Sequence, residues 1–160
     1  MESQSVGEEL GRRIQKRGMD SGSLEGVGAF IYSVSTHRYL FLLRNSSKYA
    51  GTWGLAGGMI ESGELLLDSL CREIQEELSI NLDSVKVIPI EKFTTENNNF
   101  SYHTFLIPVA EEFIPVLNEE HRGYCWVALE DYPRPLHPGV WRTVNFDEIV
   151  AKIRVLEQIL

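Results

Sequence analysis

The segment that decides the fold is residues 57–80, GGMIESGELLLDSLCREIQEELSI, in which two glycines precede a run rich in leucine and glutamate. From Glu64 to Leu78 the run contains no glycine or proline, the two residues that most often interrupt a helix. Apolar residues recur at steps of three and four positions, namely Leu66, Leu67, Leu70, Ile74 and Leu78. The sequence therefore predicts an amphipathic helix over residues 64–78.

The same helix would gather the carboxylates of Glu73, Glu76 and Glu77 on one side, away from its apolar residues. Like charges at this spacing repel each other. Arg72 lies four residues before Glu76 and four residues after Asp68, so it can neutralise only part of the cluster. The remaining charge requires raised carboxyl pKa values, exposure to water or a bound divalent cation.

Two interpretations of this acidic helix stay open on the residues alone. The first is a solvated acidic face without a ligand. The second is a site for a hard cation such as Mg²⁺ or Mn²⁺, which prefers oxygen ligands and can bridge to phosphates. Gly57 and Gly58 favour the second interpretation, because a backbone without side chains can approach an ion or a ligand closely.

The segment resembles the signature of the Nudix hydrolase family, which reads Gly, five residues, Glu, seven residues, Arg-Glu, an aliphatic residue, any residue, Glu-Glu, any residue, Gly and an aliphatic residue. The positions in register are Gly58, Glu64, Arg72, Glu73, Ile74, Glu76, Glu77 and Ile80. The one departure is Ser79, where the family usually has glycine. Upstream, TWGLAGG is similar to the family's W-x-x-P-G-G, with Ala56 in place of proline.

The resemblance implies a site for Mg²⁺, with Mn²⁺ as a substitute. The implied ligands are the carbonyl of Gly57 and the carboxylates of Glu73, Glu76 and Glu77. Arg72 would hold the glutamates in place, and Glu64 would support the loop before the helix or the surroundings of the metal. Many members add an acid from a later loop, a position that Glu120 occupies here, with Glu119 as the neighbouring choice. Either acid would bind metal or act as the base.

The implied reaction is attack by water on a diphosphate bond in a nucleoside diphosphate linked to another group. Nucleoside triphosphates, nucleotide sugars and dinucleoside polyphosphates all fit this description. Metal ions would offset charge on the phosphates and lower the pKa of the water, while a glutamate accepts the proton. Five residues are candidates for contacts with this small substrate, namely Arg44, Trp53, Gly58, Tyr102 and His121. The plainer alternatives are surface charge for the arginine and core positions for the aromatic residues.

Other segments rich in β-branched and aromatic residues predict strands. They are residues 27–34, 38–45, 84–95, 99–110 and 123–129. Residues 45–56 are expected to form a loop, and the prolines from Pro133 to Pro138 predict a stretch without regular structure. Residues 145–160 predict a closing helix. This order favours a sandwich of helices and a mixed sheet, and the resemblance implies an α/β fold of the α/β/α sandwich type.

The N-terminal residues 1–22 have a different character from the rest of the chain. A short charged helix is expected from Glu8 to Arg17, followed by a linker from Gly18 to Gly22. Residues 23–160 are expected to form a single Nudix hydrolase domain.

The composition limits which binding partners and which cellular compartment are expected. The chain has 160 residues and a net charge of −8, which disfavours binding to long nucleic acid. Its two cysteines lack a CxxC spacing and its first residues do not resemble a signal peptide, so a cytoplasmic location is expected. No apolar run approaches the ~20 residues of a membrane-spanning helix, so no membrane partner is expected.

Two further hypotheses remain open in the sequence. One is a catalytically silent Nudix-fold domain that binds a nucleotide as a sensor or an interaction surface. Retention of all three glutamates in EIQEE argues against it, because a silent copy has no chemical need for them. The other is an acidic interaction domain that binds no metal. A homodimer is also compatible with the sequence, but no segment specifies an interface.

Overall fold

The computed structural model describes residues 24–45, 48–81 and 85–160. The chain enters the fold through an antiparallel hairpin, in which β1 (Leu24–Ser33) pairs with β2 (Arg38–Arg44). The turn contains His37 at φ 61°, a left-handed conformation that a tight turn requires. The predicted hairpin is therefore confirmed.

Among the described residues, seven strands form one mixed sheet. The remaining strands are β3 (Trp53–Gly54), β4 (Ala56–Met59), β5 (Ile88–Thr94), β6 (Phe100–Val109) and β7 (His121–Val127). The main order is β3-β2-β1-β6-β5, with β4 paired to β1 and β7 paired to β2. The pairing of β1 with β6 is parallel and the others are antiparallel.

Helices cover both faces of this sheet. They are α1 (Leu66–Leu78), α2 (Pro138–Val144) and α3 (Asp147–Ile159), and a short 3₁₀ turn spans Leu129–Asp131. Leu70 and Ile74 of α1 are fully buried in one apolar cluster, and Ile153 of α3 is fully buried in a second. The predicted α/β/α sandwich is confirmed.

The prolines from Pro133 to Pro138 do not all lie in irregular structure, which corrects the prediction for this stretch. Pro138 is the first residue of α2, where its missing N–H costs no hydrogen bond. His137 caps the helix, because its Nδ1 accepts a hydrogen bond from the backbone nitrogen of Gly139 at 3.0 Å.

Several boundaries also differ from expectation. Helix α1 begins at Leu66 rather than at residue 64, and β5 begins at Ile88 rather than at residue 84. Within residues 45–56, Trp53–Gly54 form β3, and β4 begins at Ala56. The N-terminal helix and linker expected over residues 1–22 lie outside the described residues.

Across the part of the chain that the structure describes, no helix has both the length and the apolar character needed to cross a membrane.

Candidate active site

The acidic face of α1 packs against the glycine pair of β4. Gly58 lies beside the Glu73 carboxylate, so closely that a Cβ atom there would be 2.2 Å from Oε2. Gly57 donates a backbone hydrogen bond to Oε1 of Glu77 at 3.0 Å. A Cβ on Gly57 would also meet the carbonyl oxygen of Val27 in β1 at 2.1 Å. Both glycines are therefore needed for close approach between β1, β4 and the helix.

Glu73 and Glu77 are buried, with 8% and 1% of their surface exposed. Burial raises the pKa of Glu73 to about 7, with the Arg72 guanidinium opposing the shift and Glu76 and Glu120 adding to it. Burial, Glu73 and Glu120 together raise the pKa of Glu77 well above its usual range. The two carboxyl groups therefore do not readily ionise together unless a cation is bound beside them.

Glu120 joins this pair from the loop before β7. Its carboxyl group is close enough to help raise the pKa of both Glu73 and Glu77. The loop is fixed by Asn118, whose Oδ1 accepts from the Glu120 backbone nitrogen at 2.9 Å and whose Nδ2 donates to the Glu76 carbonyl at 3.1 Å. Of the two acids that the sequence left open, Glu120 is the one that contacts the buried pair.

Arg72 bridges the helix and the loop that precedes it. Its Nε donates to Glu64 Oε2 at 2.7 Å, and its Nη2 donates to the carbonyl of Met59 at 3.2 Å. The guanidinium lowers the pKa of the Glu64 carboxyl. Nη1 of Arg72 lies 3.3 Å from Glu73 and 3.2 Å from Glu76. Arg72 thus connects loop, strand and acidic face in one network.

The carboxylates of this site suit a hard divalent cation by their chemistry. Glu73, Glu77 and Glu120 are neighbouring oxygen donors whose charges act on one another, and their mutual repulsion falls when a cation is bound. Glu76 is turned outward, with 51% of its side chain exposed, and pairs with Arg72. Within the described ranges, no three side chains of the His, Cys, Asp or Glu type already surround a common point. The carboxylate oxygens fit a hard metal ion by their chemistry, while Glu76 is held in its ion pair with Arg72.

Arg44 and Tyr102 lie near the acidic cluster on the sheet. Tyr102 crosses β1 where Gly26 and Gly28 leave room, since a Cβ on Gly28 would be 2.0 Å from the phenol oxygen. Burial and the charge of Glu77 raise the pKa of Tyr102, while Arg44 lowers it. The charges of both Arg44 and the acids therefore act on the phenol.

His121 pairs with Arg44 across the ladder between β7 and β2. It is buried, and burial together with the Arg44 charge lowers its pKa to about 4. The imidazole is therefore neutral at pH 7. Trp53, by contrast, packs against the apolar cluster on the α3 side of the sheet.

Two aromatic rings near Arg44, those of Tyr49 and His137, were not predicted from the sequence. The rings of Tyr49 and His137 have centroids 4.5 Å apart and planes inclined at 69°. Burial, followed by the Arg44 charge, lowers the pKa of His137 to about 4. The available signal for His137 was its place directly before Pro138, the arrangement of a capping residue followed by proline at the first helical position.

Comparisons with known proteins agree with this architecture. The NUDIX domain family matches residues 23–146. The nucleoside triphosphatase NudI of Escherichia coli is 32% identical over 93 residues, which cover 52% of this chain and 66% of NudI, so the chain spans just under two thirds of that relative.

Solved structures show the same fold. A MutT NUDIX hydrolase from Burkholderia pseudomallei is 27% identical with a TM-score of 0.59, covering 76% of this chain and 95% of that chain. An Ap4A hydrolase from C. elegans has a TM-score of 0.63 at 20% identity, over 84% of this chain and 99% of that one, and shares the fold alone. The family match extends over most of the length of this chain, and the chain therefore belongs to the NUDIX domain family.

Proposed function

We propose that the protein is a Mg²⁺-dependent pyrophosphohydrolase, with Mn²⁺ as a substitute, acting on a nucleoside diphosphate linked to another group. The observation that carries this proposal is the burial of Glu73 and Glu77 side by side, with Glu120 near enough to raise the pKa of both. A fold retains such a repelling pair at a cost in stability, so a function that uses the charge is the physical reason to keep it.

Glu73, Glu77 and Glu120, with Glu76 and the carbonyl of Gly57, would hold the cation. When bound, the cation supplies positive charge that offsets the phosphate oxygens and lowers the pKa of a nearby water. Glu120 is exposed and lies on a loop, so it can accept the proton of the attacking water and release it to solvent. Arg72 keeps the glutamates oriented through its bonds to Glu64 and Met59.

Arg44 and Tyr102 are the residues placed to contact the polyphosphate. The guanidinium can donate to phosphate oxygens in a forked geometry, and the raised pKa of Tyr102 keeps its hydroxyl a donor. Nucleoside triphosphates are the favoured substrate class, because the relative NudI is a nucleoside triphosphatase.

A panel assay tests this proposal. Release of phosphate and pyrophosphate is measured for nucleoside triphosphates, nucleotide sugars and dinucleoside polyphosphates, each with Mg²⁺, with Mn²⁺ and with chelator. The expected result is metal-dependent cleavage that is strongest for nucleoside triphosphates. Nucleotide binding without any cleavage would refute the proposal in favour of a silent sensor.

A further inference from the structure

Arg44 lies between two chemically different groups of side chains. On one side is His121, its ladder partner in β7, followed by Glu120 and the buried acids. On the other side is β3, where the side chain of Arg44 and that of His137 face each other across Gly54. A Cβ on Gly54 would be 3.9 Å from Arg44 Cδ and 3.8 Å from His137 Cβ. Arg44 therefore connects the acids to the Tyr49–His137 ring pair.

The ring pair is held by the backbone around it. His137 donates its backbone N–H to the Trp53 carbonyl at 2.8 Å, and its Nδ1 accepts from Gly139. Because Nδ1 is an acceptor, the proton of the neutral ring is on Nε2, which remains a donor. Thr52 Oγ1 bonds the Tyr49 carbonyl at 2.7 Å, and the backbone nitrogen of Arg44 bonds the Thr52 carbonyl at 2.9 Å. The loop with Tyr49 is thus attached directly to Arg44.

The rings offer a surface for a planar, polar ligand. Both Tyr49 and His137 are only partly buried. Two partly exposed rings that meet edge to face can accept a planar base against their exposed parts. The Lys48 ammonium lies 5.4 Å from the Tyr49 centroid, so positive charge adjoins the rings as well. A heteroaromatic base attached to a phosphate chain is complementary to this surface, because the base can stack on the rings and the phosphates carry negative charge.

The spacing of the sheet sets the distance between the two sides of Arg44. Strands β7, β2 and β3 are consecutive neighbours, so two strand spacings of about 4.8 Å each separate the His121 strand from the Trp53–Gly54 strand. A polyphosphate and a ribose can cover the resulting distance of about 10 Å. The phosphates would then lie over Arg44, and the base would lie beyond it.

We propose that Tyr49 and His137 form the nucleobase site of a nucleoside polyphosphate whose phosphates lie between Arg44 and the acidic cluster. This assignment rests on the proposed function for the identity of the phosphate end. It adds the residues that recognise the nucleoside, and it makes the protein selective for a base-bearing polyphosphate over a bare one.

The test compares two ligands by titration calorimetry with Mg²⁺. One is a non-hydrolysable nucleoside triphosphate, and the other is inorganic tripolyphosphate, which carries a chain of three phosphates without the nucleoside. Tyr49→Ala and His137→Asn are each expected to weaken nucleotide binding about tenfold or more, because stacking on an aromatic ring is lost. Both variants should leave the Kd of tripolyphosphate within about twofold of the wild-type value, because neither ring is assigned a contact with the phosphates.

Three further variants control for folding and for the loss of a ring as such. Tyr49→Phe keeps the ring and is expected to retain most of the affinity. Tyr49→Leu keeps apolar bulk without a ring and replaces the alanine variant where that variant does not fold. His37→Asn removes an imidazole from the opposite end of β2, at a left-handed position that asparagine tolerates, and should change neither Kd.

The outcomes separate the two proposals. Equal weakening of both ligands, or nucleotide affinity unchanged within twofold in Tyr49→Ala and His137→Asn, would overturn the base site. Failure of the wild-type protein to bind the nucleotide would also overturn it. A wild-type protein that binds the nucleotide in a ring-dependent way but cleaves nothing would refute hydrolysis and support the base site.

Discussion

The Glu73 carboxylate rests against the backbone of Gly58, at the point where a Cβ atom would lie 2.2 Å from Oε2 and 2.4 Å from Cδ. Real Cβ atoms do not tolerate such contacts, so an added methyl group must displace either the strand or the carboxylate. Because the acids that would hold the metal converge at this contact, the geometry of the site depends on a glycine.

Gly58→Ala is therefore expected to lower kcat/KM about 100-fold, while the protein stays folded with a smaller free energy of unfolding. Steady-state kinetics and thermal unfolding of the purified variant check this. Gly123→Ala in β7 is the matched control, because its Cβ would meet only Leu43 at 3.6 Å, an ordinary contact. Activity of Gly58→Ala equal to that of the control would contradict the role of the contact.

Glu77→Gln is expected to abolish most turnover and to stabilise the metal-free protein by about 2 kcal/mol. The amide keeps an oxygen to accept the Gly57 N–H bond but removes the charge that Glu73 and Glu120 oppose. Thermal unfolding with and without Mg²⁺ measures this. The Tm of the wild type should rise with Mg²⁺, and the Tm of the variant should not. A variant that retains full activity would remove Glu77 from the site.

Arg72→Lys is expected to weaken Mg²⁺ binding about tenfold and to lower the free energy of unfolding by about 1 kcal/mol. An ammonium group cannot donate at once to Glu64 and to the Met59 carbonyl, as the guanidinium does. Arg38→Lys serves as the control, because Arg38 makes a comparable two-atom contact with Glu112 at the far end of β2. Equal behaviour of the two variants would show that the Arg72 bridge has no special role.

Acid should destabilise the protein partly through His137. Its folded pKa of about 4 lies below the unfolded value of 6.5, so the unfolded chain binds the proton first. The stability is fully present above pH 6.5 and is lost as the pH falls toward 4. His137→Asn keeps a capping acceptor but does not titrate. Between pH 6.5 and pH 4 the variant should therefore lose about 2 kcal/mol less free energy of unfolding than the wild type. Parallel denaturation curves for the two proteins across this range would disprove the assignment.

The sequence predicted the parts of the molecule that depend on local pattern. The period of Leu66, Leu70, Ile74 and Leu78 placed α1, because it reflects burial on one face. Segments rich in β-branched and aromatic residues placed the hairpin and β6. The family was identified from eight residues in one segment. Helix α2 was missed, because the prolines around it obscured a capping histidine and a proline at the first helical position.

The contacts between distant segments were less predictable. That Glu120 rather than Glu119 meets Glu77 depends on how Asn118 fixes the loop against the end of α1. The pairing of Tyr49 with His137 joins residues 88 positions apart, and no local signal encodes it. The exposed position of Glu76 likewise follows from its ion pair with Arg72, which only the packed structure defines.

The central claim, that the buried carboxylates hold a divalent cation, is tested most directly by Mn²⁺ binding measured by electron paramagnetic resonance. Wild-type protein and the Glu73→Gln/Glu77→Gln double variant are titrated at pH 8 without substrate. We expect saturable Mn²⁺ binding to the wild type, and Mn²⁺ binding at least 100-fold weaker in a folded double variant. Equal Mn²⁺ affinity of the two proteins would contradict it.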